Sequence, residues 1–297
     1  MKLELVYNRH AGSFREDRLA ALQAALTERG FAVRTHRTRL EGMELPADSE
    51  LVCVHGGDGT LRDTVAAMGP LVERAALAIA PSGTINLVAR ELGYHRKPQL
   101  LAAQLAQGWE RGRSSWLASP LFHWGKVPMV SCLSMGPDSH AVAGVSAKLK
   151  GSIGRYAYLV ALARQMARWP RHATRVSGEL ADGTPFETEA EAVIVSRGSL
   201  YAGSFRLSAK AHLATETFEL ITLARSTRRS TAALIGATVA RLPIEKLGLA
   251  EIRTVHSARI GECEAPVQVD GDTVFTPGGD ACDTTIAASG LTLRYCI

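Results

Sequence analysis

Cysteine is scarce and unpatterned in this chain of 297 residues. The five cysteines, Cys53, Cys132, Cys263, Cys282 and Cys296, are odd in number and include no C-x-x-C pair. That argues against a disulfide framework and a cysteine zinc site, and for a reducing compartment. The nine histidines form no H-x-x-x-H pair, so zinc-enzyme chemistry has no ligand set. Aromatic residues make up only 6% of the chain, and no basic run is interleaved with them. With no paired Cys/His finger either, the chain is not expected to bind nucleic acid. There is no G-x-S-x-G, so a serine hydrolase has no nucleophile elbow. Apolar runs such as Tyr156 to Ala163 fall far short of the ~18 residues that a spanning helix needs. The opening MKLELVYNRHAG is too soon charged for a secretion signal. These absences lead to the expectation of a soluble, cytoplasmic protein.

The composition that remains, 46% apolar and 21% charged, is that of an ordinary globular protein. Its length favours two domains over one core. The formal net charge of +5 weakly favours anionic partners. In the first third, strand-like runs LELVYN, FAVRTH, LVCVH and ALAIA alternate with turns or helices. Such alternation implies a parallel sheet with helices on both faces. Ser13-x-x-Glu16 reads as a capping box, with Leu19, Leu22 and Leu26 on one helix face and Gly30 as the C-terminal cap. A further helix is expected from about Pro98 to Gln107, ending at Gly108. Beyond residue 122 the texture becomes β-rich. Asp182-Gly183 signals a hairpin, FELITL, EIRTVHSARI and VQVDGD read as strands, and helices are expected over Gly154–Trp169 and Arg229–Arg241.

Gly56-Gly57-Asp58-Gly59-Thr60 sits between the buried strand LVCVH and a helix with Leu61, Val65 and Met68 on one side. Glycines at the carboxyl end of a parallel strand line the usual ligand crevice of such a sheet. They let the backbone turn tightly and bring amide N–H groups to a phosphate, beside a helix N-terminus of partial positive charge. Asp58 would repel a phosphate directly, so it is expected to hold Mg²⁺ or a hydroxyl. A second loop, PSGTINLVAREL, begins with Pro81, Gly83 and Thr84 and passes into a helix that stops at Gly93. Two such loops at neighbouring strand ends would face one crevice.

This set of motifs resembles the diacylglycerol kinase catalytic-domain family, which includes sphingosine kinases and bacterial lipid kinases. Asn8 to Gly12, Gly56 to Thr60, Pro81 to Asn86 and Asp270-Gly271-Asp272 carry the resemblance, with a fainter match over SMGPDSHAVAG and GSIGRYAYL. It implies an N-terminal three-layer α/β nucleotide domain over 1–122 and a C-terminal β-sandwich over 123–288. It also implies an active site in the cleft between them, and a last strand at about 289–297 that returns to the first domain. The implied cofactors are ATP and Mg²⁺. Asn8, Thr38, Gly56, Gly57, Asp58, Gly59, Thr60, Gly83 and Thr84 would contact the nucleotide, Asp58 would sit by the metal, and Asp270 would be the general base.

The chain departs from the family's pattern at several points. Leu61-Arg62-Asp63 follows GGDGT in place of a hydrophobic-Asn-Glu, Leu87 stands where Asp is common, and Asp272 replaces Glu. Thr215-Glu216 stands where some bacterial members carry an Asp that helps bind a structural Mg²⁺. Lys148, Lys150, Arg155, Arg164, Arg168, Arg171 and Arg175 lie in a stretch without acidic residues from Ala141 to Gly178. That stretch reads either as a solvated helix face or as a basic surface for anionic phospholipid headgroups. The expected function is an ATP-dependent lipid kinase, a phosphotransferase acting on diacylglycerol or a related lipid alcohol at a membrane surface. The alternatives are an NAD kinase-like enzyme and a non-catalytic nucleotide- or lipid-binding regulator.

Overall fold

The structure is a computed structural model that describes residues 1–38, 43–143, 171–203, 205–276 and 282–297. The expected helix over Gly154–Trp169 lies outside these residues, as do Lys148, Lys150, Arg155, Arg164 and Arg168. The chain folds into two compact units, Met1–Leu121 with Gly290–Ile297, and Phe122–Ser289.

The first unit is α/β. Strands β1 (Lys2–Tyr7), β2 (Ala32–Arg37), β3 (Leu51–Gly56) and β4 (Ala76–Pro81) pair in parallel in the order β2-β1-β3-β4. The end of the chain's last strand adds beyond β4, pairing Tyr295 with Leu77. Every residue of β3 and β4 is buried, as expected for central parallel strands covered on both faces. Helix α1 (Glu16–Glu28) packs against a helix at Pro98–Glu110, and α2 (Asp58–Met68) packs on β3. A short helix α3 (Leu87–Glu91) follows β4, and Pro98–Glu110 is α4. Because β2 lies on one side of β1 and β3 on the other, the loops after β1 and β3 diverge at their carboxyl ends. That opens a crevice at the point where the strand order reverses.

Two local readings need correction. Ser13 is not an N-cap: α1 begins at Glu16 behind Arg15, without a side-chain cap bond. Both the Ser13 backbone N–H (2.9 Å) and its hydroxyl (2.8 Å) donate to the Ser82 carbonyl, a partner outside the helix. Nor does Gly108 end α4, which runs on to Glu110. A Cβ there would come within 2.8 Å of the Ile297 carbonyl oxygen, so the glycine makes room for the end of the chain. Gly30 does close α1, with φ +85, Gly30 N–H on the Thr27 carbonyl and Phe31 N–H on that of Leu26.

The second unit is β-rich. Its strands are β5 (Leu117–Trp124, begun in the first unit), β6 (Val127–Met129), β7 (Cys132–Met135), β8 (Thr174–Leu180) and β9 (Pro185–Ala190). They continue with β10 (Ala192–Ser196), β11 (Phe218–Leu223), β12 (Glu251–Cys263), β13 (Val267–Val269), β14 (Asp272–Phe275) and β15 (Cys282–Tyr295). Helices α5 (Pro137–Ala143) and α6 (Arg228–Val239) interrupt them. One layer runs β14-β13-β7-β10-β11-β12. Strand β12 pairs with β11 through its first residues and with β8 and β15 further along, so it turns the corner into a second layer. Phe122, Leu133, Val176, Val193, Val195, Phe218, Leu220, Val255, Ile260 and Ile286 share the core between the layers. Alternate residues of β10 and β11, Ile194, Ile221 and Leu223, face the other way and are covered by Leu234 and Ala237 of α6.

Candidate functional site

In the first unit, three loops meet at the carboxyl ends of β1, β3 and β4. Asn8 directly follows β1; its side-chain amide donates to the Thr60 hydroxyl at 3.1 Å and its carbonyl oxygen accepts from His10 N–H at 2.8 Å. The Thr38 N–H donates to the Tyr7 carbonyl at 3.0 Å, which holds the end of β2 at the same edge. The Ser82 and Gly83 N–H groups both donate to the Gly56 carbonyl, at 2.9 and 3.1 Å. A Cβ on Gly83 would lie 2.5 Å from Gly57 Cα, and one on Gly12 2.5 Å from Thr84 Oγ1. Asn8, Gly56, Gly57, Asp58, Gly59, Thr60, Gly83 and Thr84 thus belong to one assembly of loops.

The glycines here answer a need for space. None of Gly12, Gly56, Gly57, Gly59 and Gly83 has a positive φ, so conformational freedom is not what selects them. Gly57 and Gly83 let two backbones touch, and Gly56 accepts the Thr60 side chain, which a Cβ would meet at 2.4 Å. The outcome is a backbone surface without side chains at the start of α2, whose first-turn N–H groups lack intrahelical partners by helix geometry. That is the arrangement in which a helix terminus takes an anion.

Asp58, 9% exposed, is turned away from this surface. Its two carboxylate oxygens accept the Leu87 N–H (2.8 Å) and the Val88 N–H (3.0 Å), so it caps α3 from across the loop pair. Burial raises its pKa, against the opposing pull of those two amides. Asn86, in the left-handed conformation at φ +58, closes the same turn by exchanging two 2.8 Å hydrogen bonds with Gly83. Arg62 is buried beside Asp63, its guanidinium 2.8 Å from the carboxylate.

In the second unit, Asp270 and Gly271 form the two-residue turn between β13 and β14, at φ +53 and +86. The Asp270 carboxylate accepts the N–H groups of Val130 (3.0 Å), Ser131 (2.8 Å) and Cys132 (3.0 Å), and the residue is 5% exposed. Gln268 completes the turn by accepting the Gly271 N–H at 2.8 Å. Helix α5 packs against β7, β13 and β14, bringing Asp138 to this neighbourhood. The Tyr201 hydroxyl donates to Asp138. Burial raises the Asp138 pKa, while burial and the Asp138 charge push that of Tyr201 well above its usual value. Sequence reasoning singled out neither residue; the only signal was the G-x-D within SMGPDS.

The segment around Thr215-Glu216 is held by an internal cation. The buried Arg197 guanidinium donates to the carbonyls of Leu213 (2.9 Å), Thr215 (2.9 Å) and Thr217 (2.5 Å) and lies 4.2 Å from the Phe122 ring centre. Among the described residues, no group of three or more His, Cys, Asp and Glu side chains is gathered as for a metal ion.

Residues 2–114 match the description of the diacylglycerol kinase catalytic domain. A diacylglycerol kinase of Bacillus subtilis (strain 168) is 27% identical over 237 residues, covering 76% of this chain and 74% of that protein. A "probable lipid kinase YegS-like" of Pseudomonas putida KT2440 is 32% identical over 121 residues, covering 41% of this chain and 39% of that protein. In fold, a crystal structure of a diacylglycerol kinase from Bacillus anthracis str. Sterne superposes with a TM-score of 0.68 at 21% identity, covering 99% of this chain and 94% of that one.

Proposed function

We propose that this chain is an ATP-dependent lipid kinase, transferring the γ-phosphoryl group of ATP to the hydroxyl of diacylglycerol or a related lipid alcohol. The observation that carries the reading is the meeting of the Asn8, Gly56–Thr60 and Gly83–Thr84 loops at the strand-order reversal, around the open start of α2. Phosphoryl transfer asks for positioning and charge neutralisation more than for covalent chemistry. In this reading Asn8, Thr38, Thr60 and Thr84 bind the nucleotide, while Gly56, Gly57 and Gly83 let the loops pack closely and, with Gly59, present bare backbone to its phosphates. Mg²⁺ would arrive with those phosphates and neutralise them. Both Asp58 oxygens face the α3 amides, which does not fit a direct metal ligand. Asp58 instead fixes one glycine loop against the other.

Asp270 is the proposed proton acceptor for the lipid hydroxyl. Three amides hold its carboxylate in place, and any carboxylate is far less basic than an alkoxide. It therefore takes the proton late, as the new P–O bond acidifies the hydroxyl and the bond to the departing ADP oxygen breaks. Asp272 is the second carboxylate on this hairpin. The lipid acceptor is met at a membrane surface, among anionic headgroups.

The test is transfer from γ-labelled ATP into mixed micelles of diacylglycerol, monoacylglycerol or sphingosine, with NAD⁺ as control. Label in a lipid that falls by about 100-fold or more in Asp270→Asn supports the reading. A thermal scan of the variant separates lost chemistry from lost folding. Label in NAD⁺ alone, or in nothing, would contradict the reading. Loss in Asp272→Asn but not in Asp270→Asn would move the proton acceptor to Asp272.

A further inference from the structure

Among the described residues, helix α6 is partnered on one side only. Leu234 and Ala237 pack onto the sheet, whereas Ala232, Ile235, Gly236 and Val239, one stripe at i, i+3, i+4 and i+7, are exposed. No charged residue lies between Arg229 and Arg241, although the outward face of a helix on a globular protein is normally polar. Four of the six large exposed hydrophobics among the described residues fall here: Ile235 (43%), Val239 (58%), Leu242 (52%) and Leu247 (51%). The concentration is local, which distinguishes it from the scattered apolar residues of any surface.

The helix end presents this set. Arg241 N–H donates to the Thr238 carbonyl (3.1 Å) and Leu242 N–H to that of Ala237 (2.8 Å), with Arg241 in the left-handed conformation at φ +56. This is the closure usually built on glycine. Here the position carries a cation and leaves Leu242 exposed beside the last turn. From Ala224 to Ala250 the chain has five basic residues, Arg225, Arg228, Arg229, Arg241 and Lys246, all exposed, and one acidic residue, Glu245.

We propose that this face docks on a lipid bilayer bearing anionic headgroups. The apolar stripe with Leu242 enters the headgroup boundary, and the flanking cations meet the phosphates. A second copy of the chain is the poorer occupant, because a two-fold contact would bring like cations together around a small apolar centre. An anionic bilayer complements both the charge and the apolar stripe. The inference deepens the lipid-acceptor reading and takes its biological sense from it.

The test is co-sedimentation with vesicles of phosphatidylcholine, alone and mixed with phosphatidylglycerol, without nucleotide. Binding is expected to the mixed vesicles only and to weaken with added salt. The double variant Ile235→Glu/Val239→Glu should reduce it by about tenfold or more without lowering the thermal midpoint, since both side chains are exposed. Arg229→Gln/Lys246→Gln should reduce the salt dependence. No vesicle binding, binding unchanged in both variants, or a concentration-dependent dimer that the Ile235/Val239 variant abolishes would overturn the proposal. A protein that binds vesicles yet transfers no phosphate would contradict only the kinase reading. One that phosphorylates diacylglycerol in detergent micelles yet ignores anionic vesicles would contradict only this inference.

Discussion

His55 closes β3 directly before the glycine loop and is 4% exposed. It lies at a cavity of about 10 Å³ lined by Arg18, His95 and Arg96, room for one water at most. Burial lowers its pKa from 6.5 to about 4, against a smaller opposing pull from the Ala80 backbone, and the Arg18 charge adds to the lowering. The folded protein thus holds this ring neutral, whereas the unfolded chain protonates it near pH 6.5. The stabilisation is complete above that value and is lost as pH falls towards 4, by up to about 3 kcal/mol. Denaturant midpoints of the wild type and His55→Gln between pH 7 and 4 check this. The wild type should lose the larger share, and equal losses would contradict it. At the same scale, the sequence motifs named Asn8, Thr60, Gly83 and Asp270, and the structure brings the first three into one assembly of loops. Their contacts were not legible. Asp58 reads locally as a phosphate- or metal-side carboxylate, and only the pairing of β3 with β4 brings it to the Leu87 and Val88 amides. Ser13 has the local pattern of a cap, yet a carbonyl 69 positions away takes its hydroxyl.

At the scale of elements, the loop pair after β3 and β4 behaves as one object, and its glycines differ in what they tolerate. An alanine at Gly83 would push its Cβ onto the Gly57 backbone at 2.5 Å and onto Asn86 Oδ1 at 2.7 Å, and backbone cannot swing aside. An alanine at Gly12 would meet Thr84 Oγ1 at 2.5 Å, the end of a side chain that can rotate. Gly83→Ala is therefore expected to cost about 1–3 kcal/mol, and Gly12→Ala less. Thermal or urea unfolding of the two variants compares them; a Gly12→Ala protein that is the less stable would refute the loop-on-loop account. Elements with a clean period or a turn signal were readable from sequence, among them α1, α2 and the β8–β9 hairpin at Gly183, whereas VQVDGD, read as one strand, turns at Asp270-Gly271. Helix α4 was read short because Gly108 looks like a stop. What decides its length is the Ile297 carbonyl beside it, a contact between distant parts of the chain. The start of α3 was equally hidden, since Asn86 and Asp58 set it jointly.

At the scale of the whole molecule, the alternation of strands and helices followed by a β-rich remainder was visible along the chain. The strand order β2-β1-β3-β4 was not, because hydrophobic runs do not say which neighbour a strand takes. That order matters for function, since it places the divergence of loops between β1 and β3 where a ligand can enter. No helix among the described residues is long and apolar enough to cross a membrane. The central claim is that a nucleotide sits on the three loops of the first unit. Amide hydrogen exchange with and without Mg²⁺-ATP tests it most directly. Slowed exchange concentrated at Asn8–Ser13, Gly57–Leu61 and Gly83–Leu87 is the predicted result; unchanged exchange in these loops, with ATP bound and protection elsewhere, would contradict it.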